Sequence, residues 1–206
     1  MNKVDKIFNS SSNAIEFSKA YFEYLKIVFE RISLEEIQNF VNVILSARDR
    51  KSTIYFIGNG GSAATCSHFA NDISIGTRAY DNPFRVISLC DNQAIITAIG
   101  NDDGYEKIFS QQLRVLLKEQ DVVVSISASG NSPNLIDAIN TAKKMNAITV
   151  GISAFDGGQM KGIVDHSLHV PTEKGEYGPA EDAHMVLDHL IANYLMRYVK
   201  KLKSHG

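Results

Sequence analysis

The chain has 206 residues, 44% of them apolar and 21% charged, and a formal net charge of −2 at pH 7. This composition is that of a globular protein, and the near-neutral charge gives no overall positive field that would attract nucleic acid or an acidic membrane. The two cysteines are too few for a disulfide framework or a four-cysteine zinc site.

No apolar run is long enough to span a bilayer, and the first residues contain no apolar signal-peptide segment. We therefore expect a reduced, soluble, cytoplasmic protein with no nucleic-acid or membrane partner. We expect one domain over residues 1–206, in which 1–50 form an N-terminal helical extension and 51–206 form an α/β core that ends in a long helix.

Two helices are predicted to begin the chain. Over residues 14–32, apolar side chains recur every three to four positions, which is the spacing of one helix face. The positions of this stripe are Ala14, Phe17, Tyr21, Leu25, Val28 and Ile32, widened sideways by Ile15, Phe22 and Phe29. Two interpretations stay open: this wide face packs against another subunit, or it lies on the core of its own domain. A second helix is predicted over 34–48, with Ser33 and Glu36 in capping-box spacing.

Strands and helices then alternate along the chain. Short runs rich in β-branched residues predict strands at 53–57, 85–90, 122–126, 148–152 and 167–170. Stretches of helical length lie between them at 62–76, 104–118 and 132–145, and a final helix is predicted over 181–202. Because parallel strands need crossover connections, this order predicts an α/β fold: a three-layer αβα sandwich around a five-stranded parallel sheet.

The first predicted strand ends in a glycine-rich loop, Gly58-Asn59-Gly60-Gly61-Ser62-Ala63. Clustered glycines let the backbone approach a ligand, and the next helix presents free N–H groups to an anion. The segment also matches the dinucleotide fingerprint G-x-G-x-x-A, but the nearest acidic residue after the following strand, Asp91, comes 33 residues after Gly58. No P-loop motif is present. A structural turn without a ligand is the alternative.

The third predicted strand ends in Ser127-Ala128-Ser129-Gly130-Asn131-Ser132-Pro133. Its hydroxyl groups and the N–H groups of the helix that follows are donors suited to a phosphate monoester, and the helix dipole favours the dianion. An ordinary capped turn has similar residues. The concentration of small polar side chains at the end of a strand favours phosphate binding.

Histidines and carboxylates share one face on two predicted helices. His68 and Asp72 are four residues apart, and Glu181 and His189 are eight apart on the last helix, with His184 and Asp188 beside them. Two such pairs predict either a divalent metal site or an acid–base pair. Surface pairs without a ligand are the alternative.

Together these motifs resemble a known family. G-N-G-G-S after the first strand and S-x-S-G-N-S after the third resemble the sugar isomerase (SIS) domain, whose sheet is flavodoxin-like. The segment Gly100-Asn101-Asp102 and the H-F-A segment at 68–70 resemble the phosphoheptose isomerase branch. That branch converts sedoheptulose 7-phosphate into an aldoheptose 7-phosphate, D-glycero-D-manno-heptose 7-phosphate, for surface polysaccharide. The resemblance also implies homotetramers with sites shared between subunits.

The resemblance implies roles for individual residues. It places one zinc ion per subunit on His68, Asp72, Glu181 and His189. It implies no nucleotide cofactor. It makes Asp72 and His189 the groups that exchange protons through an enediol. The implied substrate-binding residues are Asn59, Gly60, Gly61, Ser62, Asn101, Asp102 and Glu181 for the sugar, and Ser127, Ser129 and Ser132 for the phosphate.

The chain departs from the family pattern at two of these positions and at one further position in the serine-rich motif. Asp72 replaces a glutamate, Glu181 replaces a common glutamine, and Ala128 replaces a frequent threonine. These changes predict an altered substrate or metal, or a catalytically silent relative. The alternatives are therefore an isomerase of another ketose phosphate, a non-catalytic SIS module of the kind that regulates replication initiation, and, more distantly, a dinucleotide-binding protein. A binding module has no need of the two histidine–carboxylate pairs, which favours the enzyme.

Two further segments have open interpretations. The loop from Pro171 to Pro179 is predicted either to cover the site or cross into a neighbouring subunit, or to be a plain connection. Cys66, within the helix that carries His68, is interpreted as a small buried apolar residue.

Overall fold

The computed structural model describes residues 1–204 and shows strands and helices in alternation after three leading helices. The strands are β1 (Thr53–Gly58), β2 (Arg85–Ser88), β3 (Val122–Ser127), β4 (Ile148–Ala154) and β5 (His166–Val170). The longer helices are α1 (Lys3–Ser10), α2 (Ala14–Glu30), α3 (Leu34–Arg50), α4 (Gly61–Asn71), α5 (Gln93–Asp102), α6 (Ser110–Leu116), α7 (Pro133–Lys144), α8 (Gly158–Ile163) and α9 (Tyr177–Lys203). A π-helical turn (Asp72–Gly76) follows α4, and a 3₁₀ turn (Tyr105–Lys107) precedes α6.

The five strands form one parallel sheet in the order β2-β1-β3-β4-β5. In β1, Thr53 pairs with Arg85 of β2 and Ile54 pairs with Val122 of β3. The strand order reverses direction between β1 and β3, and in sheets of this kind ligands bind beyond the carboxyl ends of the strands at that point. The predicted α/β fold with a five-stranded parallel sheet is confirmed.

Successive residues of each central strand serve two separate cores. Ile54 and Phe56 of β1 pack into one core, whereas Tyr55 and Ile57 pack into the other. Side chains alternate across a strand, so a sheet covered on both faces needs apolar residues at nearly every position. This explains why β1 is an almost continuous apolar run and why every residue of β3 is buried, Ser125 and Ser127 included. The first core contains the buried faces of α2, α3, α4 and α9, and the second contains those of α6 and α7.

The leading helices are held to the start of α9 by a buried carboxylate. Glu176 is 2% exposed and accepts hydrogen bonds from the Val4 amide (3.1 Å), the Tyr24 hydroxyl (2.5 Å) and the Glu173 amide (2.9 Å). Helix α2 also buries Val28 in its own domain. Its other side remains bare, because Ile15 and Phe22 are 69% and 67% exposed.

Several predicted boundaries were wrong. The final helix begins at Tyr177 rather than 181, since Pro179 falls in its first turn, where a missing N–H removes no helical hydrogen bond. The helix predicted over 62–76 changes to π-helical geometry at Asp72. The segment predicted as one helix over 104–118 is a 3₁₀ turn followed by α6, and β2 ends at Ser88, whose hydroxyl accepts from the Cys90 amide in a turn.

Helices α1, α5 and α8 were not predicted. In α5 none of the residues is buried, so its apolar positions do not mark one core-facing stripe, and Asn92 caps its first turn by accepting from the Ile95 amide. Along the part of the chain that the structure describes, no helix combines the length and apolar character needed to cross a bilayer.

Candidate active site

The carboxyl ends of β1 and β3 lead into a polar cavity of about 160 Å³. The glycine-rich loop after β1 and the serine loop (residues 127–132) after β3 form its walls, with the first turn of α9 on a third side. The polar side chains that line it are Asn59, Ser62, Ser127, Ser129, Ser132, Tyr177 and Glu181. Among the residues that the structure describes, Asn101 and Asp102 stand apart from this lining, exposed at the end of α5.

In the serine loop two hydroxyl oxygens are held by backbone amides, and their protons point to each other or to the cavity. The oxygens of Ser127 and Ser129 accept hydrogen bonds from the amides of Gly130 (3.1 Å) and Asn131 (3.3 Å). Ser132 is the N-cap residue of α7, but its hydroxyl does not bond to that helix. The Ser127 and Ser129 oxygens are 3.5 Å apart, so one of these two hydroxyls can donate to the other, and the remaining proton and that of Ser132 can donate into the cavity.

The loop keeps this shape because Gly130 adopts a φ of +63°, and a Cβ there would lie 2.0 Å from the Gly157 carbonyl oxygen.

A network of amides holds the glycine-rich loop. Asn59 and Asn134 donate to each other's side-chain oxygens at 2.9 and 2.8 Å, and the Tyr105 hydroxyl donates to the same Asn59 oxygen at 2.9 Å. Asn134 is 2% exposed. Because the Asn59 oxygen is already engaged twice, its amide can meet a ligand only as a donor. Asn59 was predicted to bind the sugar, but neither of its partners was predicted, although Asn134 lies two residues after the serine loop.

Glu181 lies against the first turn of α4. A Cβ added to Gly61 would be 2.5 Å from the Glu181 carboxylate, so only glycine leaves room for this approach. The carboxylate also lines the cavity. A negative group is favoured there by the positive end of the helix dipole.

Further along the same two helices lies a cluster of histidines and carboxylates, formed by His68, Asp72, Asp188 and His189. The Nε2 atom of His68 is 3.3 Å from Nε2 of His189, 3.5 Å from Oδ2 of Asp72 and 4.0 Å from Oδ2 of Asp188. One donor atom of each of the four residues lies within 4.8 Å of the others. The cluster is about 10 Å beyond Gly61 along α4, since seven residues separate Gly61 from His68.

Asp72 sits where α4 changes to the π-helical turn, and such turns are frequent at functional sites. Its Oδ1 accepts from the Asn71 side chain at 2.9 Å, so that its Oδ2 is directed towards His68. Asp72 is half-buried and His189 is exposed, which leaves this side of the cluster open to a substrate.

Two polar side chains on the inner face of α9 are buried without partners among the described residues. Neither carboxylate oxygen of Asp188 and neither ring nitrogen of His184 has a hydrogen-bond partner. Burial, followed by the nearby Asp72 charge, raises the pKa of Asp188 to about 8. Burial lowers the pKa of His184 to about 4. Buried polar groups without partners are costly, and for Asp188 this points to a group that the protein atoms do not supply. The His184 ring lies by the backbone of Ser153, which favours its protonated form.

The donors of the cluster fit a zinc ion. Two imidazoles and two carboxylates are ligand types that zinc accepts, and an unpartnered buried carboxylate is stabilised by a cation. The ligand set implied by the sequence resemblance differs from this cluster in one member. His68, Asp72 and His189 come together as expected, but Glu181 stands at the cavity and Asp188 occupies the cluster.

Known proteins share both the sequence and the fold. A family model described as the SIS domain matches residues 19–154. The phosphoheptose isomerase of Maridesulfovibrio salexigens is 33% identical over 187 residues, which are 90% of this chain and 89% of that protein. The phosphoheptose isomerase of Clostridium acetobutylicum is 34% identical over 168 residues, or 82% of this chain and 85% of that protein.

Solved structures agree with these matches. The phosphoheptose isomerase GmhA from Neisseria gonorrhoeae superposes with a TM-score of 0.79 at 27% identity, covering 89% of this chain and 98% of that chain. The Vibrio vulnificus NanR protein, complexed with ManNAc-6P, shares the fold with a TM-score of 0.66 at 14% identity, covering 95% of this chain and 67% of that chain.

Proposed function

The chain belongs to the SIS domain family and, within it, to the phosphoheptose isomerases, and from this premise we propose that it interconverts sedoheptulose 7-phosphate and D-glycero-D-manno-heptose 7-phosphate. The observation that carries the proposal is the placement of two complementary sites on one pair of helices. A donor-rich cavity lies at the start of α4, and a histidine–carboxylate cluster lies about 10 Å further along that helix. An extended seven-carbon sugar phosphate is of comparable length.

In this proposal the phosphate binds in the cavity. The hydroxyl groups of Ser127, Ser129 and Ser132 donate to its oxygens, and the N-terminus of α7 adds a favourable dipole. Ala128 supplies no hydroxyl, so the loop offers one donor fewer than the family pattern. Asn59, Gly60, Gly61, Ser62 and Glu181 then face the sugar chain. For Asn101 and Asp102 the support is the resemblance alone.

The carbon end of the substrate then meets the cluster. Isomerisation removes a proton from C1 of the ketose, delivers one to C2 and moves a hydroxyl proton between the two oxygens. Asp72 acts as the base that removes the proton from carbon, and His189 exchanges protons with the substrate oxygens. Both groups face the open side of the cluster. Bound zinc would polarise the carbonyl group as a Lewis acid. Asn71 orients the Asp72 carboxylate for its role.

We further propose a cytoplasmic homotetramer with sites at subunit boundaries, which supplies heptose for surface polysaccharide. Support for the assembly comes from apolar side chains left bare on α2 and on the outer face of α9: Ile15, Phe22, Val186, Leu190 and Tyr194 are each at least 43% exposed. Their positions on two long helices suit helix packing between copies of the chain. A monomer on a sizing column at micromolar concentration would contradict this assembly.

The test of the activity is direct. The protein is incubated with sedoheptulose 7-phosphate, with zinc or with a chelator, and formation of the aldose is followed by NMR. Fructose 6-phosphate serves as a parallel substrate, because Asp72 and Ala128 favour an altered substrate as the second candidate. Turnover of sedoheptulose 7-phosphate supports the proposal. Turnover of the hexose alone would support the second candidate, and binding without turnover of either would identify a non-catalytic sugar-phosphate module.

A further inference from the structure

We propose that Tyr177 is a further substrate-binding residue of the cavity, whose hydroxyl donates a hydrogen bond to the phosphate group, and that Phe155 is the positioning residue that fixes its ring there. The inference rests on the proposed function, because it deepens the role of the same cavity. It concerns binding of the phosphate ester and not the proton transfers at the histidine–carboxylate cluster.

The first support is that the Tyr177 hydroxyl is unengaged. Tyr177 is the first residue of α9, it lines the cavity, and it is 55% exposed. Among the residues that the structure describes, its contact is a ring contact, and no side chain or backbone group bonds to its hydroxyl. By contrast, a partner accepts from the hydroxyl of each of four other tyrosines, Tyr21, Tyr24, Tyr55 and Tyr105.

The charges around the cavity divide it into two sides. Tyr177 and Glu181 are four residues apart on α9, so they share one face of the helix, and both line the cavity. The Glu181 carboxylate lies beside Gly61, on the side of the glycine-rich loop. Its negative charge repels a phosphate dianion, so we expect the phosphate on the opposite side, at the serine loop.

The Phe155 ring places Tyr177 on that opposite side. The two rings meet edge to face, with centroids 5.2 Å apart and planes at 84°, which is a favoured arrangement. Phe155 directly follows β4, where the Ala154 amide donates to the Ala128 carbonyl oxygen at 3.1 Å. Because Ala128 belongs to the serine loop, the contact with Phe155 holds the tyrosine next to the hydroxyls of that loop.

The second support is that Phe155 occupies a backbone position where glycine is usual. The Gly157 amide donates to the Ala154 carbonyl oxygen at 2.8 Å, which closes a four-residue turn with Phe155 at its first central position. Phe155 has a φ of +56°, and Asp156 has no positive φ. This is the pattern of a type II′ turn, which favours glycine at that position. A bulky residue there is an outlier, and such outliers cluster at ligand sites.

The cavity needs a further donor for a phosphate group. No lysine or arginine is among the described residues that line it. One of the Ser127 and Ser129 hydroxyls can donate to the other, and Ala128 between them has no hydroxyl. A phosphate dianion accepts several hydrogen bonds, so the Tyr177 hydroxyl supplies a donor that the loop itself lacks.

The experiment compares Tyr177→Phe, which removes only the hydroxyl, with the matched variant Tyr80→Phe. Tyr80 is 59% exposed and does not line the cavity. Affinities for inorganic phosphate and for sedoheptulose 7-phosphate are measured by titration calorimetry. Tyr177→Phe should weaken both by about tenfold, which is the loss of one hydrogen bond to a charged group. Tyr80→Phe should bind both as the unaltered protein does. In turnover, Tyr177→Phe should raise KM and leave kcat unchanged.

Thermal unfolding separates the loss of a contact from a folding defect. Without ligand, Tyr177→Phe should melt with the unaltered protein, since its hydroxyl has no partner to lose. With phosphate, it should gain less stability. Unchanged phosphate affinity in Tyr177→Phe overturns the inference. A loss for the sugar phosphate without a loss for inorganic phosphate also overturns it, because the hydroxyl would then contact the sugar.

A double-mutant comparison tests the positioning role. Phe155→Leu keeps an apolar side chain against the core and removes the ring edge. It should weaken phosphate binding in the unaltered protein and have little further effect beside Tyr177→Phe, whereas additive losses would overturn this role. Phosphate binding by the unaltered protein without isomerase turnover would leave the inference standing while the proposed reaction fails. Absence of phosphate binding would overturn the inference together with the assignment of the cavity.

Discussion

The buried carboxylate of Glu176 should be a main support of the leading helices. It accepts three hydrogen bonds, from α1, from α2 and from its own turn, while 2% exposed. In Glu176→Gln the remaining oxygen can keep the Tyr24 and Glu173 donors, but the new NH₂ group then faces the Val4 amide. One bond is lost and two change from charge-assisted to neutral. Since bonds to a charged group contribute about 1.5–3 kcal/mol and neutral ones about 1, the loss should be about 2.5–7 kcal/mol, and we expect the lower end, about 3 kcal/mol.

Because the chain contains no tryptophan, circular dichroism is the suitable probe for this unfolding. A loss of 3 kcal/mol in a protein of this size lowers Tm by about 10 °C at fixed protein concentration. Tyr24→Phe keeps the ring and removes only one donor, so it should cost less. The two changes together should cost less than their sum, because Glu176→Gln weakens the Tyr24–Glu176 hydrogen bond that Tyr24→Phe removes. A loss below about 1 kcal/mol for Glu176→Gln, or full additivity, would refute this account of the attachment.

Three further outcomes are expected. Asp72→Asn should abolish turnover while binding of a phosphate ester survives, since the base is lost and the serine loop is untouched; unchanged turnover would remove Asp72 from its role. Asn134→Ala should lower kcat/KM through Asn59, so it should have little further effect in an Asn59→Ala background, and additive losses would contradict that coupling. His184 has a folded pKa of about 4 against an ordinary 6.5, so the unfolded chain takes up its proton first as pH falls. Stability should drop by about 2 kcal/mol between pH 7 and pH 5, and urea titrations of His184→Gln should lack this part of the loss.

Much of the fold could be predicted because strand patterning is local. The β-branched runs and the intervening stretches of helical length were enough to predict the parallel sheet, and the strand ends then indicated where ligand loops meet. Boundaries were less accurate where geometry changes without a change in composition, as at Asp72, where an α-helix becomes a π-helical turn. Helix α5 was not predicted, because none of its side chains is buried and its apolar residues therefore form no core-facing stripe.

The candidate site was predicted in part for a related reason. The spacing of His68 and Asp72 within one helix is visible in the sequence, so their meeting could be foreseen. Whether Glu181 or Asp188 lies within the cluster depends on how α9 is rotated against α4, and this rotation cannot be read from the spacing of residues in the sequence. The amide pair of Asn59 and Asn134 joins two loops 75 residues apart, which no local pattern reveals.

The parallel course of α4 and α9 has a consequence for substrate choice. Gly61 lies beside Glu181, and two turns later His68 lies beside His189, so both helices advance together from the cavity to the cluster. The two helices therefore fix the distance between the cavity and the cluster at about two helical turns. In the proposed binding mode, a five-carbon ketose phosphate anchored by its phosphate would stop short of the Asp72 carboxylate, and a longer chain would extend past it. That binding mode predicts that selectivity for sugar length comes from rigid backbone spacing rather than from contacts with individual hydroxyl groups.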